Sequence, residues 1–226
     1  MFTLNFLRRC YGKRIYLFLV LILLDVLTIF YSGGIEHSLT RHMFISYDLV
    51  SGFANILFWI ILFLPIALDI VQERSSFGVA IFCRTSKLKY LMMKNAAMFM
   101  YCASFFIISM IISFAIGIWG GYETGNIILI IKVYIVLVFL SYTLLSFINL
   151  VGWMFNSSYA MAVIYSGLIT ITQIPNLQEK FSVLMLLETF PWSISALVIC
   201  SVKNSLVTLL VMKHKEFIGI KKGMTI

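Results

Sequence analysis

The feature that most constrains this chain is its division into apolar stretches of about the length that crosses a bilayer, separated by short polar breaks. A transmembrane helix needs roughly 20 predominantly apolar residues. Hydrocarbon offers no partner for backbone N–H and C=O groups, so only structures that satisfy them internally can span it. The runs lie at about 15–32, 49–71, 96–119, 127–151, 158–174 and 192–212. They predict an all-α integral membrane protein with six transmembrane helices in one domain, 1–226. Composition agrees. The 226 residues are 62% hydrophobic and 12% charged, with a mean hydropathy of +1.02. A soluble domain carries about 25% charged residues, so this chain has too little polar surface for a water-facing exterior.

The formal net charge is +8, and the lysines and arginines cluster. Arg8, Arg9, Lys13 and Arg14 precede the first run. Arg74, Arg84, Lys87, Lys89 and Lys94 lie between the second and third. Lys213, Lys215, Lys221 and Lys222 follow the last. Among 17 such residues, only Arg41, Lys132, Lys180 and Lys203 fall elsewhere. With six spans the three clusters share one side, and the positive-inside rule places both termini in the cytoplasm. The pattern assigns the basic charge to a membrane face, so no nucleic-acid partner is expected. The first run exceeds a usual signal-peptide core and no A-x-A site follows it, so an uncleaved span is expected.

The chemistry-bearing motifs are absent from the sequence. It has no G-x-x-x-x-G-K-[ST] loop, no G-x-S-x-G elbow and no H-E-x-x-H helix. Cys10, Cys83, Cys102 and Cys200 form no C-x-x-C pair, and neither a disulfide framework nor a zinc site is expected. Glu36, His37 and His42 sit in the first outer loop without a fourth ligand, so no metal is expected there. The sequence therefore predicts a non-catalytic chain that binds no cofactor of its own.

The cytoplasmic segment 72–94 carries the best signal. It reads Gln72-Glu73-Arg74-Ser75-Ser76-Phe77-Gly78, then Arg84-Thr85-Ser86-Lys87, and ends at Lys94. Ser75 and Ser76 suit a helix N-cap, and Phe77, Ile81 and Phe82 recur at helical spacing. Here the chain resembles the membrane subunits of ATP-binding cassette exporters of the ABC-2 permease class. In that family a Glu leaves the second span, a Gly comes next, then a basic turn and a Lys entering the third span. The resemblance implies that Glu73, Arg74, Phe77, Gly78, Ile81 and Arg84 belong to a coupling helix that docks on a separate ATPase. It also implies that ATP and magnesium are held by that partner, and that a second permease copy or a sister permease completes the pathway. The basic tail and the amphipathic start around Phe2, Phe6 and Leu7 are similar to family features. The smallest members, near this size, often serve bacteriocin or antimicrobial-peptide export and immunity. That implies a bacterial cell membrane and a small amphipathic or lipid-like cargo. The alternative is an ATP-independent immunity protein that sequesters an antimicrobial peptide.

Three further residues stand out within the spans. Asp25 lies ten residues into the first run and Lys203 nine before Met212. At 1.5 Å per residue these are roughly 15 and 14 Å from the cytoplasmic side. A charge at mid-bilayer costs about 2.5–3.5 kcal/mol or more, so the matched depths predict an Asp25–Lys203 pair. Lys203-Asn204-Ser205 also offers a place for the last helix to break. Pro65 removes a backbone hydrogen bond from the second span and predicts a kink there suited to gating.

Overall fold

The computed structural model describes residues 16, 19, 20, 22, 23, 59, 62–64, 86–121, 126–155 and 183–223. Among these the secondary structure is helical, with no strand. Four helices have defined bounds: α1 (Lys87–Trp119), α2 (Ile127–Met154), α3 (Val183–Glu188) and α4 (Trp192–Gly223). Three of them, α1, α2 and α4, are long and apolar enough to cross a membrane. The segments expected to form the first, second and fifth spans lie mostly or wholly outside the described residues, as do 1–15 and 224–226.

Helix α1 starts earlier than its apolar run. Hydropathy places the third span at 96–119, but the helix begins at Lys87 and has 33 residues. Ser86 is its N-cap, and its hydroxyl accepts from the Lys89 N–H at 3.4 Å. At about 1.5 Å per residue α1 is roughly 50 Å long, well beyond a hydrocarbon core of about 30 Å. The extra turns rise from the polar segment. No acidic residue occupies the first turn; two lysines do, which oppose the helix dipole. Apolar periodicity reports where lipid begins, and the helix continues past it because Tyr90 and Leu91 bury against the bundle.

At its far end α1 closes on Gly120, whose N–H bonds the Ile116 carbonyl at 2.7 Å. Gly121 then adopts φ +69°, a left-handed conformation that glycine enters without steric cost. Asn126 opens α2, its Oδ1 accepting from Ile128 and Leu129 N–H groups at 3.0 and 3.3 Å. The result is an antiparallel hairpin of α1 and α2. The loop expected over 175–191 contains the short α3, which the Ser193 hydroxyl ties to α4 through the Leu186 carbonyl at 2.7 Å.

The direction of α4 is set by its contacts. Lys132, early in α2, lies 5.3 Å from the Phe190 ring that precedes α4. Further along, Thr143 meets Ser201, Ser146 meets Asn204, and Trp153 clusters with Met212. Thus α4 runs parallel to α2 and antiparallel to α1. One end of the bundle therefore gathers Lys87, Lys89 and Lys94 from α1 with Lys213 from α4. The other end carries Trp119 and Trp192, 82% and 79% exposed. Tryptophan at that level suits the headgroup zone.

The core is aromatic. Trp59, Phe63, Phe105 and Phe106 are almost wholly enclosed. Phe106 meets Phe105 edge-on at 5.2 Å, Trp59 at 6.4 Å and Tyr134 at 6.4 Å. The Tyr101 hydroxyl donates to the Leu62 carbonyl at 3.1 Å, which fastens α1 to the segment just before Pro65. Pro65 itself lies outside the described residues.

Candidate functional site

The basic end of the bundle is the place where the segment resembling a coupling helix meets the spans. Glu73, Arg74, Phe77, Gly78, Ile81 and Arg84 all lie outside the described residues. Two residues past Arg84, Ser86 caps α1, and the Lys87 ammonium donates to the Met212 carbonyl of α4 at 3.0 Å. Beneath that bond, Tyr90 of α1, Trp153 of α2 and Met212 of α4 form a compact apolar cluster, each less than a tenth exposed. The end of segment 72–94 is therefore joined to all three long helices within its first helical turn.

The two lysines of that segment beyond Lys87 have different fates. Lys89 is exposed. Lys94 is 2% exposed and ranks among the largest enclosed side chains. An enclosed ammonium is held by specific contacts or it is expelled. Lys94 is thus part of the bundle interior rather than a headgroup anchor.

A polar seam holds α4 against the hairpin. Asn95 Nδ2 donates to the Ser205 hydroxyl at 2.8 Å. The Thr143 hydroxyl shares a 2.9 Å hydrogen bond with Ser201 and lies 3.1 Å from the Leu197 carbonyl. Asn204 Nδ2 donates to Ser146 at 3.0 Å. The helix is unbroken through Lys203-Asn204-Ser205, so the expected break does not occur. Small hydroxyl residues replace apolar bulk along one face of α4; Ser201, Ser205 and Thr208 donate to carbonyls one turn back in their own helix, which leaves the Ser205 oxygen free to accept from Asn95. Thr143→Val keeps the side-chain shape and removes these bonds. It should cost about 1–2 kcal/mol, the upper range for such bonds in membranes, read as a lower melting temperature of the protein in mild detergent.

An apolar groove of about 260 Å³ opens between α1 and α2. Phe99, Phe106 and Met110 line one wall, and Tyr134, Val138 and Phe139 line the other. Phe99 in turn packs edge-on to Tyr142 at 5.5 Å. The groove suits a hydrocarbon chain or apolar side chains and offers no charged group. Sequence reasoning missed it, because any Phe or Ile in a span reads as lipid-facing or packing by default.

The expected intramembrane pair is visible on one side. Lys203 sits midway along the membrane-length part of α4, Trp192–His214, and is exposed. Asp25 lies outside the described residues. No group of three or more His, Cys, Asp or Glu gathers among the described residues.

Against known proteins the chain matches no family model, no curated protein and no solved structure.

Proposed function

We propose that this chain is the membrane-spanning subunit of an ATP-driven exporter of the ABC-2 class, set in a cell membrane. It moves a small amphipathic peptide or lipid-like molecule outward, using ATP hydrolysed on a separate chain. The observation that supports this reading most is the joint at the basic end. A segment with the residue order of a coupling helix runs into α1, whose first turn grips α4 through Lys87 and Met212. A push on residues 72–86 reaches α1 directly, α4 through that hydrogen bond, and α2 through Tyr90 and Trp153. This chain's part is mechanical: it converts closure of the ATPase into relative movement of its spans. The apolar groove on the hairpin suits the hydrophobic portion of such a cargo.

The test is recovery of the tagged protein from its native membrane in mild detergent, with mass spectrometry of what accompanies it. A stoichiometric P-loop ATPase is expected, and Glu73→Ala or Gly78→Val should remove it while leaving the amount of membrane protein unchanged. A preparation that keeps other complexes intact and yields no ATPase would overturn the exporter reading. Sequestration of a peptide, with the groove as its receptor, would then be the better account.

A further inference from the structure

The groove between α1 and α2 differs from an ordinary lipid-facing surface in what stands at its end. Its lining runs from Phe99 to Met110 on α1 and from Ile131 to Phe139 on α2. At 1.5 Å per residue these stretches are roughly 17 and 12 Å long, about half of a hydrocarbon core of about 30 Å. Tyr134 brings the one oxygen or nitrogen atom among the lining side chains, and its hydroxyl is already turned to Ser113 at 3.4 Å. An extended peptide laid there would leave its amides without partners, which is costly away from water. A hydrocarbon chain has none to satisfy. An apolar cavity of about 150 Å³ takes a benzene ring, and by that ratio 260 Å³ has room for roughly ten chain carbons.

Lys132 stands at one end of this groove. It follows Ile131 directly and precedes Ile135 by one turn and Phe139 by two, so helical periodicity places it on the rim. It is half-buried, with its ammonium 5.3 Å from the centre of the Phe190 ring, in the corner between α3 and α4. An aromatic face attracts an ammonium without cancelling its charge. Among the described residues no carboxylate pairs with Lys132; Glu188, exposed in the same corner, does not reach it. Trp119 and Trp192 mark this end of the bundle as the headgroup level. A cation without a counter-ion therefore borders an apolar slot one leaflet deep. We propose that this corner binds one anionic phospholipid of the bilayer, with an acyl chain in the groove and the phosphate at Lys132. The contacts of Phe99 with Phe139 and Tyr142, and of Phe106 with Tyr134, hold the walls and preform the slot. The inference does not depend on the transport reading, since lipid binding is measured without ATP or an ATPase.

The test is native mass spectrometry of the full chain, purified in mild detergent, stripped of lipid, and offered phosphatidylglycerol or phosphatidylcholine with the same acyl chains. One phosphatidylglycerol should bind per chain, about fivefold more tightly than phosphatidylcholine, the effect of one cation near an anionic headgroup. Lys132→Gln should bring the two lipids level, while Lys132→Arg keeps the preference. Lys89→Gln removes the same charge at the opposite end of the bundle and should also keep it. Ile135→Trp fills the groove and should lower binding of both lipids, with a monodisperse gel-filtration peak showing that the variant folds. Equal binding of the two lipids by the unmodified protein would overturn the proposal. So would equal losses of preference in Lys132→Gln and Lys89→Gln, which general attraction between a basic protein and an acidic lipid explains. Undiminished phosphatidylglycerol binding by folded Ile135→Trp would overturn the placement of the chain in the groove, and the proposal with it.

Discussion

Lys94→Glu should leave almost no folded protein in the membrane, while Lys89→Glu, five residues earlier on the same helix, should leave the amount unchanged. Both lysines belong to the same basic segment, and by charge they are equivalent. The structure separates them. Lys89 is exposed at the basic end of α1, where a reversed charge costs little because water and salt screen it. Lys94 is 2% exposed, between the Tyr90 cluster below and the Asn95–Ser205 bond beside it. Reversing an enclosed charge removes its contacts and buries a carboxylate that the site was not built to hold. Breaking a buried charge interaction of this kind costs about 3–5 kcal/mol, which is a large part of the usual total stability of about 5–15 kcal/mol. Fluorescence-detected gel filtration of tagged variants in mild detergent reads the difference. Equal monodisperse peaks for both variants would show that Lys94 is not held as described.

Phe106→Ala should have the second largest effect, a loss of about 3 kcal/mol in detergent. Its reason differs from that in a soluble core. Lipid tails are as apolar as phenylalanine, so transfer out of water contributes little to helix association in a membrane. What is lost is packing: the edge contacts with Phe105 and Tyr134, the contact with Trp59, and one wall of the groove. Aromatic contacts of this kind contribute about 0.5–1.5 kcal/mol each beyond area burial, and the cavity left behind adds to them. Ile111→Ala, at a residue of the same helix that is 59% exposed, should change the melting temperature far less. Comparable shifts for the two would mean that the aromatic cluster does not hold the hairpin.

The helical class and three of the spans were legible because hydropathy measures the thing that selects them, solvation by lipid. Lys87 and Met212 touch, so the described parts of two basic segments lie at one end of the bundle. The start of α1 was not legible. Polar residues at Lys87, Lys89 and Asn95 look like a loop to a hydropathy reading, yet local hydrogen bonding and the burial of Tyr90 and Leu91 keep them helical. Lys203-Asn204-Ser205 misled in the same way. Three polar residues suggest a break, but Asn204 and Ser205 spend their polarity on Ser146 and Asn95 of neighbouring helices. Which helix faces which is information between segments, and a single sequence carries it weakly. The groove and the aromatic cluster depend on the same pairing of α1 with α2. The candidate coupling residues, Glu73 to Arg84, stand out by the order of residue types, a signal that needs no geometry.

The unbroken length of α1 has a mechanical consequence. Among its largest fully enclosed side chains are Phe105 and Phe106, and a waist there would lie some 18 residues beyond Lys87. That makes a lever arm of about 27 Å at the helical rise of 1.5 Å per residue. A rotation of about 5° around the waist would swing the Lys87 end through about 2.4 Å, by the same rise. A rod with no hinge keeps that angle along its length, so the shorter far arm, from Phe106 to Trp119, would swing through about 1.7 Å in the opposite sense.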